Sequence, residues 1–168
     1  LAAGVGDLKR VLANVKTRGT FGEVQLGSLL AQILTPDQYR CNAVTKPGTD
    51  NRVEFAVRLP GRDAAGDEAV WLPIDAKFPQ EDYLRLLDAQ ERAHAADAEG
   101  AARQLERSVR EMARSVRDKY LDPPHTTDFA IMFLPTEGLY AEVLRRTGLV
   151  EALQRDYRII PAGPTTLA

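Results

Sequence analysis

The segment from about residue 81 to 120 contains no proline and a single glycine, Gly100, and consists largely of Ala, Leu, Glu and Arg. Such a stretch favours helix, either one long helix or two broken near Gly100. The residues on either side have strand character. Ahead of it, Val53, Phe55, Val57 and Leu59 alternate with Glu54, Ala56 and Arg58, the period-two pattern of a half-buried strand. A loop at 61–67 separates this from a second strand at 69–77, where Pro73 suggests an edge position or a bulge. Behind the helical segment, Asp122-Pro123-Pro124 ends it, and the apolar run 129–134 has the length of a strand buried on both faces. Strands mixed with helices of crossover length point to an α/β sheet with helices packed on it.

The remaining segments fit that frame. Leu8, Val11, Leu12 and Val15 fall at helical spacing, and residues 20–34 place Leu26, Leu29, Leu30, Ile33 and Leu34 on one side of an amphipathic helix that stops before Pro36. A short strand at 39–44 and a loop at 46–51 follow, and later come helices at about 136–146 and 149–155 and a strand at 157–160. Residues 163–167 read as a turn followed by a threonine helix cap, directly before the sequence stops at Ala168. Both ends therefore suggest a longer parent chain. No internal repeat is present.

With 168 residues, 44% of them hydrophobic and 27% charged, the chain has the balance of one soluble domain. A net charge of −2 and a pI near 5.8 argue against wholesale electrostatic attraction to nucleic acid or membrane, so any polyanion site must be local. One cysteine, Cys41, excludes an internal disulfide framework and a cysteine-cluster zinc site; it fits a reducing compartment, the cytoplasm, and reads as a small buried hydrophobe. No apolar run approaches the roughly 18 to 20 residues of a membrane span, so no membrane contact is expected of this segment.

The chemistry concentrates in two strands. Glu54 lies on the first, and Asp75-Ala76-Lys77 ends the second, with 20 residues between Glu54 and Asp75. Adjacent strands can bring the two carboxylates side by side, and period two puts Asp75 and Lys77 on one face. Two hard oxygen ligands suit Mg²⁺ or Mn²⁺, and a lysine beside them suits phosphodiester hydrolysis. The competing reading is an exposed strand residue plus a same-face ion pair. An Asp flanked by Ile74 and Ala76 in an apolar strand must in either case be paired, metal-bound or at the strand end, because unpaired burial is costly.

The stretches Gly19-Thr-Phe-Gly-Glu23-Val-Gln-Leu26, Arg52-Val-Glu-Phe-Ala-Val-Arg-Leu-Pro60, Ile74-Asp-Ala-Lys77, Lys119-Tyr120, Phe133-Leu-Pro-Thr-Glu137 and Gly163-Pro-Thr-Thr-Leu167 together resemble the DNA recombination protein RmuC family of bacteria. Six motifs in order over nearly the whole chain carry the resemblance. It implies a PD-(D/E)xK nuclease-like αβββαβ core, a mixed central sheet flanked by helices with a long helix after the third strand. It also implies a role in limiting rearrangement at short inverted repeats. Residues 1–18 would end an N-terminal coiled-coil region and residues 19–168 would form a nuclease-like domain cut short at its C-terminus; the parent would carry a membrane anchor outside this segment. On the motif, Glu54 stands where the family has Asp and Val53 replaces the preceding Pro, while Asp75 and Lys77 match the second acid and the lysine.

Three other acids and bases join the candidates. On the helix at 20–34, Glu23 falls near the side of Leu26, Leu30 and Ile33 and so towards the core. Thr20-x-x-Glu23 has the form of a capping box, which alone would explain both residues; the resemblance instead implies that Glu23 completes the metal or water shell. Glu137 opens a helix and Lys119 closes one, places that the helix dipole favours, and the family motifs keep both as outside candidates. His94 and His125 have no metal-ligand spacing. Arg103, Arg107, Arg110, Arg114 and Arg117, spaced 4, 3, 4 and 3, form one stripe opposite Leu105, Val109, Met112 and Val116. The stripe reads as a solvated face balanced by Glu106, Glu111 and Asp118, as a phosphate-contacting surface, or as a partner-helix seam.

The resulting expectation is a Mg²⁺- or Mn²⁺-dependent deoxyribonuclease domain acting on DNA, including branched or hairpin forms, with Glu54 and Asp75 as ligands, Lys77 catalytic and Glu23 auxiliary. The alternatives are a nuclease-derived module that binds DNA or proteins without cutting, and a structural element that self-associates through its helices.

Overall fold

The computed structural model describes residues 15–60 and 69–168, with side chains from residue 21 onward in the first span. The helical spacing from Leu8 to Val15 and the expected coiled-coil end at 1–18 fall largely outside the described residues, and the loop at 61–67 wholly so. Five strands form one mixed sheet in sequence order: β1 (Tyr39–Ala43), β2 (Val53–Leu59), β3 (Val70–Ala76), β4 (Ala130–Phe133) and β5 (Ile159–Ala162). β1, β2 and β3 pair antiparallel, and β4 and β5 continue parallel to β3. Helix α1 (Val15–Ile33) precedes the sheet. The crossover from β3 to β4 is a helical hairpin, α2 (Gln80–Glu91) and α3 (Ala95–Tyr120); α4 (Glu137–Arg145) and α5 (Leu149–Tyr157) join β4 to β5, and α6 (Pro164–Leu167) follows. The order through β4 is the αβββαβ expected.

Period-two alternation divides the core between the sheet's two faces. Phe55, Ile74 and Phe133 pack with Leu26 and Leu30 of α1, while Ala56, Ala130 and Met132 pack with Leu105, Val109 and Val116 of α3 and with Leu139 and Leu153 of α4 and α5. Full burial of each Leu or Val contributes about 1.5–3 kcal/mol. α1 lies unusually close to the sheet at Gly22, where an added Cβ would stand 2.8 Å from Pro135 Cγ.

Four local expectations are corrected. Pro73 is neither at an edge nor in a bulge; β3 is central, and Pro73 pairs with Ala56. The N–H groups of Trp71 and Lys77 point towards the β4 side, to the carbonyls of His125 and Phe133. By period two the Pro73 nitrogen faces the same side, where pairing with β4 begins only at Ile74, so the missing donor interrupts no ladder. The helical hairpin turns at residues 92–94 through a left-handed Ala93 (φ 54°), and Gly100 sits inside α3. α1 is already helical at Val15, so Thr20 is interior and cannot cap it. Cys41 is exposed because β1 is an edge strand.

Two boundaries shift by a residue or two. α5 runs on to Tyr157 and ends at a left-handed Arg158 (φ 57°), so β5 begins at Ile159 and includes Pro161 on the outer strand. α6 begins at Pro164 with Gly163 as its N-cap, which leaves Thr165 inside the helix.

Candidate active site

The β2–β3 ladder ends at Phe55 opposite Ile74. One step further, the same register sets Glu54 opposite Asp75, on the sheet face that carries α3. Even-numbered N–H groups of β3 point towards β2, and Ala76 N–H, past the last ladder bond, donates instead to Glu54 Oε2 at 3.1 Å. The strand ending thus anchors the first carboxylate beside the second. Asp75 is 1% exposed, and Lys77 Nζ stands 3.1 Å from its Oδ2. That contact is close but not aligned as a hydrogen bond, so Asp75 Oδ2 is a buried oxygen with no hydrogen-bond donor.

The electrostatics follow from this crowding. Burial, a proton shared with Asp75 and the Asp75 charge push the Glu54 carboxyl up to about 9, against the opposing Ala76 N–H and Lys77. Lys77 alone does not neutralise two carboxylates, so the pair retains a proton at neutral pH.

Glu54 and Lys77 open onto a cleft of about 530 Å³ at the carboxyl end of β3, walled by α1, the start of α2, Met112 of α3 and Pro135 after β4. Glu23 lines this cleft but is exposed, at its rim rather than towards the core. Among the described residues, no group of three or more His, Cys, Asp and Glu side chains has a metal-holding arrangement. Glu54 and Asp75 are therefore a two-carboxylate set, the kind Mg²⁺ takes when water and phosphate complete its shell. The unsatisfied Asp75 oxygen and the raised Glu54 fit a divalent cation, because its charge would relieve both.

Other sequence candidates lie elsewhere. Lys119 is exposed and off the cleft, whereas its neighbour Tyr120 is buried, its hydroxyl pushed up to about 12 by burial and by the Asp75 and Glu54 charges. Sequence reasoning passed over Tyr120 although the Lys119-Tyr120 pair had drawn attention; its place at the end of the apolar seam that includes Val109, Ala113 and Val116 was the available signal. Glu137 opens α4 and accepts a 2.6 Å hydrogen bond from Thr165 N–H, tying α6 to α4. Of the arginine stripe, Arg103 pairs with Glu99 and Arg110 with Glu106, and Arg107 donates to Gln104. Arg117 packs over Tyr157 and donates to the Asp156 carbonyl. None of the five lines the cleft. Asp82, which sequence reasoning did not select, joins the cleft wall and accepts from Ser108 at 2.5 Å.

Among the described residues, no helix is long and apolar enough to cross a membrane. The RmuC family model matches residues 1–168. A DNA recombination protein RmuC homolog of Xylella fastidiosa is 59% identical over 167 residues, which are 99% of this chain and 36% of that protein. One from Chlamydia muridarum is 27% identical over 163 residues, 95% of this chain and 35% of that protein. The chain thus spans about a third of the length of these relatives. No solved structure matches it. With the family model covering every residue and a relative at this identity across nearly the whole chain, the chain belongs to the RmuC family.

Proposed function

We propose that this chain is a DNA-processing domain whose Glu54–Asp75–Lys77 centre hydrolyses phosphodiester bonds with Mg²⁺ or Mn²⁺. The observation that carries the reading is the juxtaposition itself: two carboxylates opposed across β2 and β3, with an ammonium 3.1 Å from the buried one, at the mouth of a cleft. The relatives are named DNA recombination proteins, which supports DNA as the substrate.

Glu54 and Asp75 would hold the cation, which when bound supplies Lewis acidity towards phosphate oxygen and lowers the pKa of water. Asp75 is fixed by its place in a central strand between β2 and β4. Lys77, on the same face and partly open to the cleft, stabilises negative charge that grows on the phosphate oxygens and orients the attacking water. Glu54 holds a proton while the pair is alone and surrenders it when positive charge enters. Glu23 reaches the same cleft from α1 and serves as an outer acid, ordering water at the rim.

A module that binds DNA without cutting is the second reading, favoured by the engagement of Glu54 Oε2 with Ala76 N–H and by the two-carboxylate set. The deciding experiment incubates the full-length protein with Mn²⁺ or Mg²⁺ and labelled linear, hairpin and branched DNA, beside Lys77→Ala. Cleavage abolished by Lys77→Ala is the expected result; binding without cleavage by the folded, metal-loaded protein selects the second reading.

A further inference from the structure

The cleft wall has an apolar half that the hydrolytic chemistry does not use. Phe78 follows Lys77, and Met112 reaches the cleft from α3, with Pro79 and Pro135 completing the apolar surface. Phe78 is braced by Phe21 and Tyr83, each with its ring centroid 6.3 Å away and tilted at 54° and 52°. The Phe78 ring is therefore held in place, partly buried against the core, with its remaining surface lining the cleft beside the carboxylates. A braced aromatic face next to a phosphate-directed centre matches a planar, apolar group attached to a phosphate, which is a nucleobase.

The charge on the wall discriminates between forms of DNA. Among the described residues, Lys77 is the one cation that lines the cleft, facing Glu23, Glu54, Glu81 and Asp82. A duplex carries one phosphate charge per about 1.7 Å of axis and needs a row of cations along its path. The arginine stripe does not line the cleft, and Arg103 and Arg110 are paired with acids of their own helix. A duplex also keeps its base faces stacked inside, out of reach of Phe78. An unpaired nucleotide presents a free base face and brings fewer phosphates past the acidic wall.

We infer that the cleft takes one unpaired nucleotide of a DNA strand, its base against Phe78 and Met112 and its phosphate at Lys77, so that the site acts on single-stranded segments rather than continuous duplex. The inference rests on the DNA-processing role proposed above. It places the preferred substrate at strand ends, flaps and loops, where bases are already unstacked and no energy is spent opening a helix.

The test measures anisotropy of a labelled mixed-sequence single strand, and of the same strand annealed to its complement, binding the full-length protein with Ca²⁺. Wild type, Phe78→Leu and Phe78→Trp are compared, with a melting curve for each. Tighter binding of the single strand is expected. Phe78→Leu, which keeps apolar volume but loses the ring face, should weaken single-strand binding by about ten-fold and leave duplex binding unchanged, while Phe78→Trp retains it. Met112→Gln, on another wall of the cleft, should weaken single-strand binding in the same sense and provides a reading that does not depend on Phe78→Leu folding. Duplex binding equal to or tighter than single-strand binding, or variants at wild-type affinity, would overturn this inference alone. Binding of neither form would overturn the DNA-processing role as well.

Discussion

Glu54→Gln should make the metal-free protein more stable at alkaline pH. In the unfolded chain the Glu54 carboxyl titrates near 4.5, and in the fold it is held up to about 9. Between those values the native state keeps a proton that the unfolded state has released, so stability falls as pH rises; below 4.5 both states are protonated and the contribution is complete. Each pH unit in this window carries ~1.4 kcal/mol, or ~2.7 kcal/mol from pH 6 to 8. Glu54 is half-buried and faces a solvent-filled cleft, and screening there cuts the effect by about half, to ~1.4 kcal/mol. For a chain of 168 residues this is about 3–5 °C in Tm. Glutamine can still accept from Ala76 N–H and can donate to Asp75, but does not titrate. Thermal melts in EDTA at pH 6, 7 and 8 should therefore show the difference, variant minus wild type, growing by about 3–5 °C across the range. Parallel profiles would mean that Glu54 and Asp75 do not share a proton, and the electrostatic account of the site would fail.

Lys77→Ala should lower DNA cleavage by about 100-fold while the protein still melts cooperatively, because the ammonium is partly exposed and its role is towards the phosphate; an unaltered rate would remove Lys77 from the chemistry. Gly22→Ala should destabilise by about 1 kcal/mol in urea denaturation, since the 2.8 Å approach to Pro135 costs more than the helix-propensity gain; a stabilised variant would show that α1 can shift freely. Glu137→Ala should speed amide exchange at Thr165 and leave cleavage unchanged, as expected of a residue that secures α6; lost cleavage with unchanged exchange would return Glu137 to the site.

The strands around the site were legible because both codes agreed there. The alternation from Val53 to Leu59 gave β2 its bounds but not its burial, since Ala56 on the alternate face is fully buried against α3 while Val57 and Leu59 are only partly covered; the apolar run ahead of Pro135 gave β4. Pro73 misled because proline's lost donor matters only on the side where a partner strand is paired, and pairing order is a tertiary fact. The hairpin turn at 92–94 carries no Gly or Pro; packing of α2 on α3 sets it, whereas Gly100, the visible weak point, has open space around it and remains helical.

Glu54, Asp75 and Lys77 could be picked out by period two, but the register that opposes Glu54 to Asp75 depends on the β2–β3 connection and could not be counted from spacing. The helical wheel placed Glu23 towards the core; the structure puts it on the cleft rim, because the end of the sheet leaves that side of α1 uncovered. The arginine stripe was correctly a face of α3 away from its seam. Glu99 and Glu106 pair with Arg103 and Arg110 of the stripe at helical spacing, and Arg146, reaching the same two acids from beyond α4, is the long-range partner visible only in three dimensions.

Calorimetric titration of the full-length protein with Mn²⁺ at pH 7.5, in two buffers of different ionisation enthalpy, tests the central claim most directly. The Glu54–Asp75 pair should bind one ion and release about one proton on doing so, and Asp75→Asn should abolish both signals. Unchanged Mn²⁺ affinity in Asp75→Asn, or binding without proton release, would contradict the assignment of these carboxylates as the cation site.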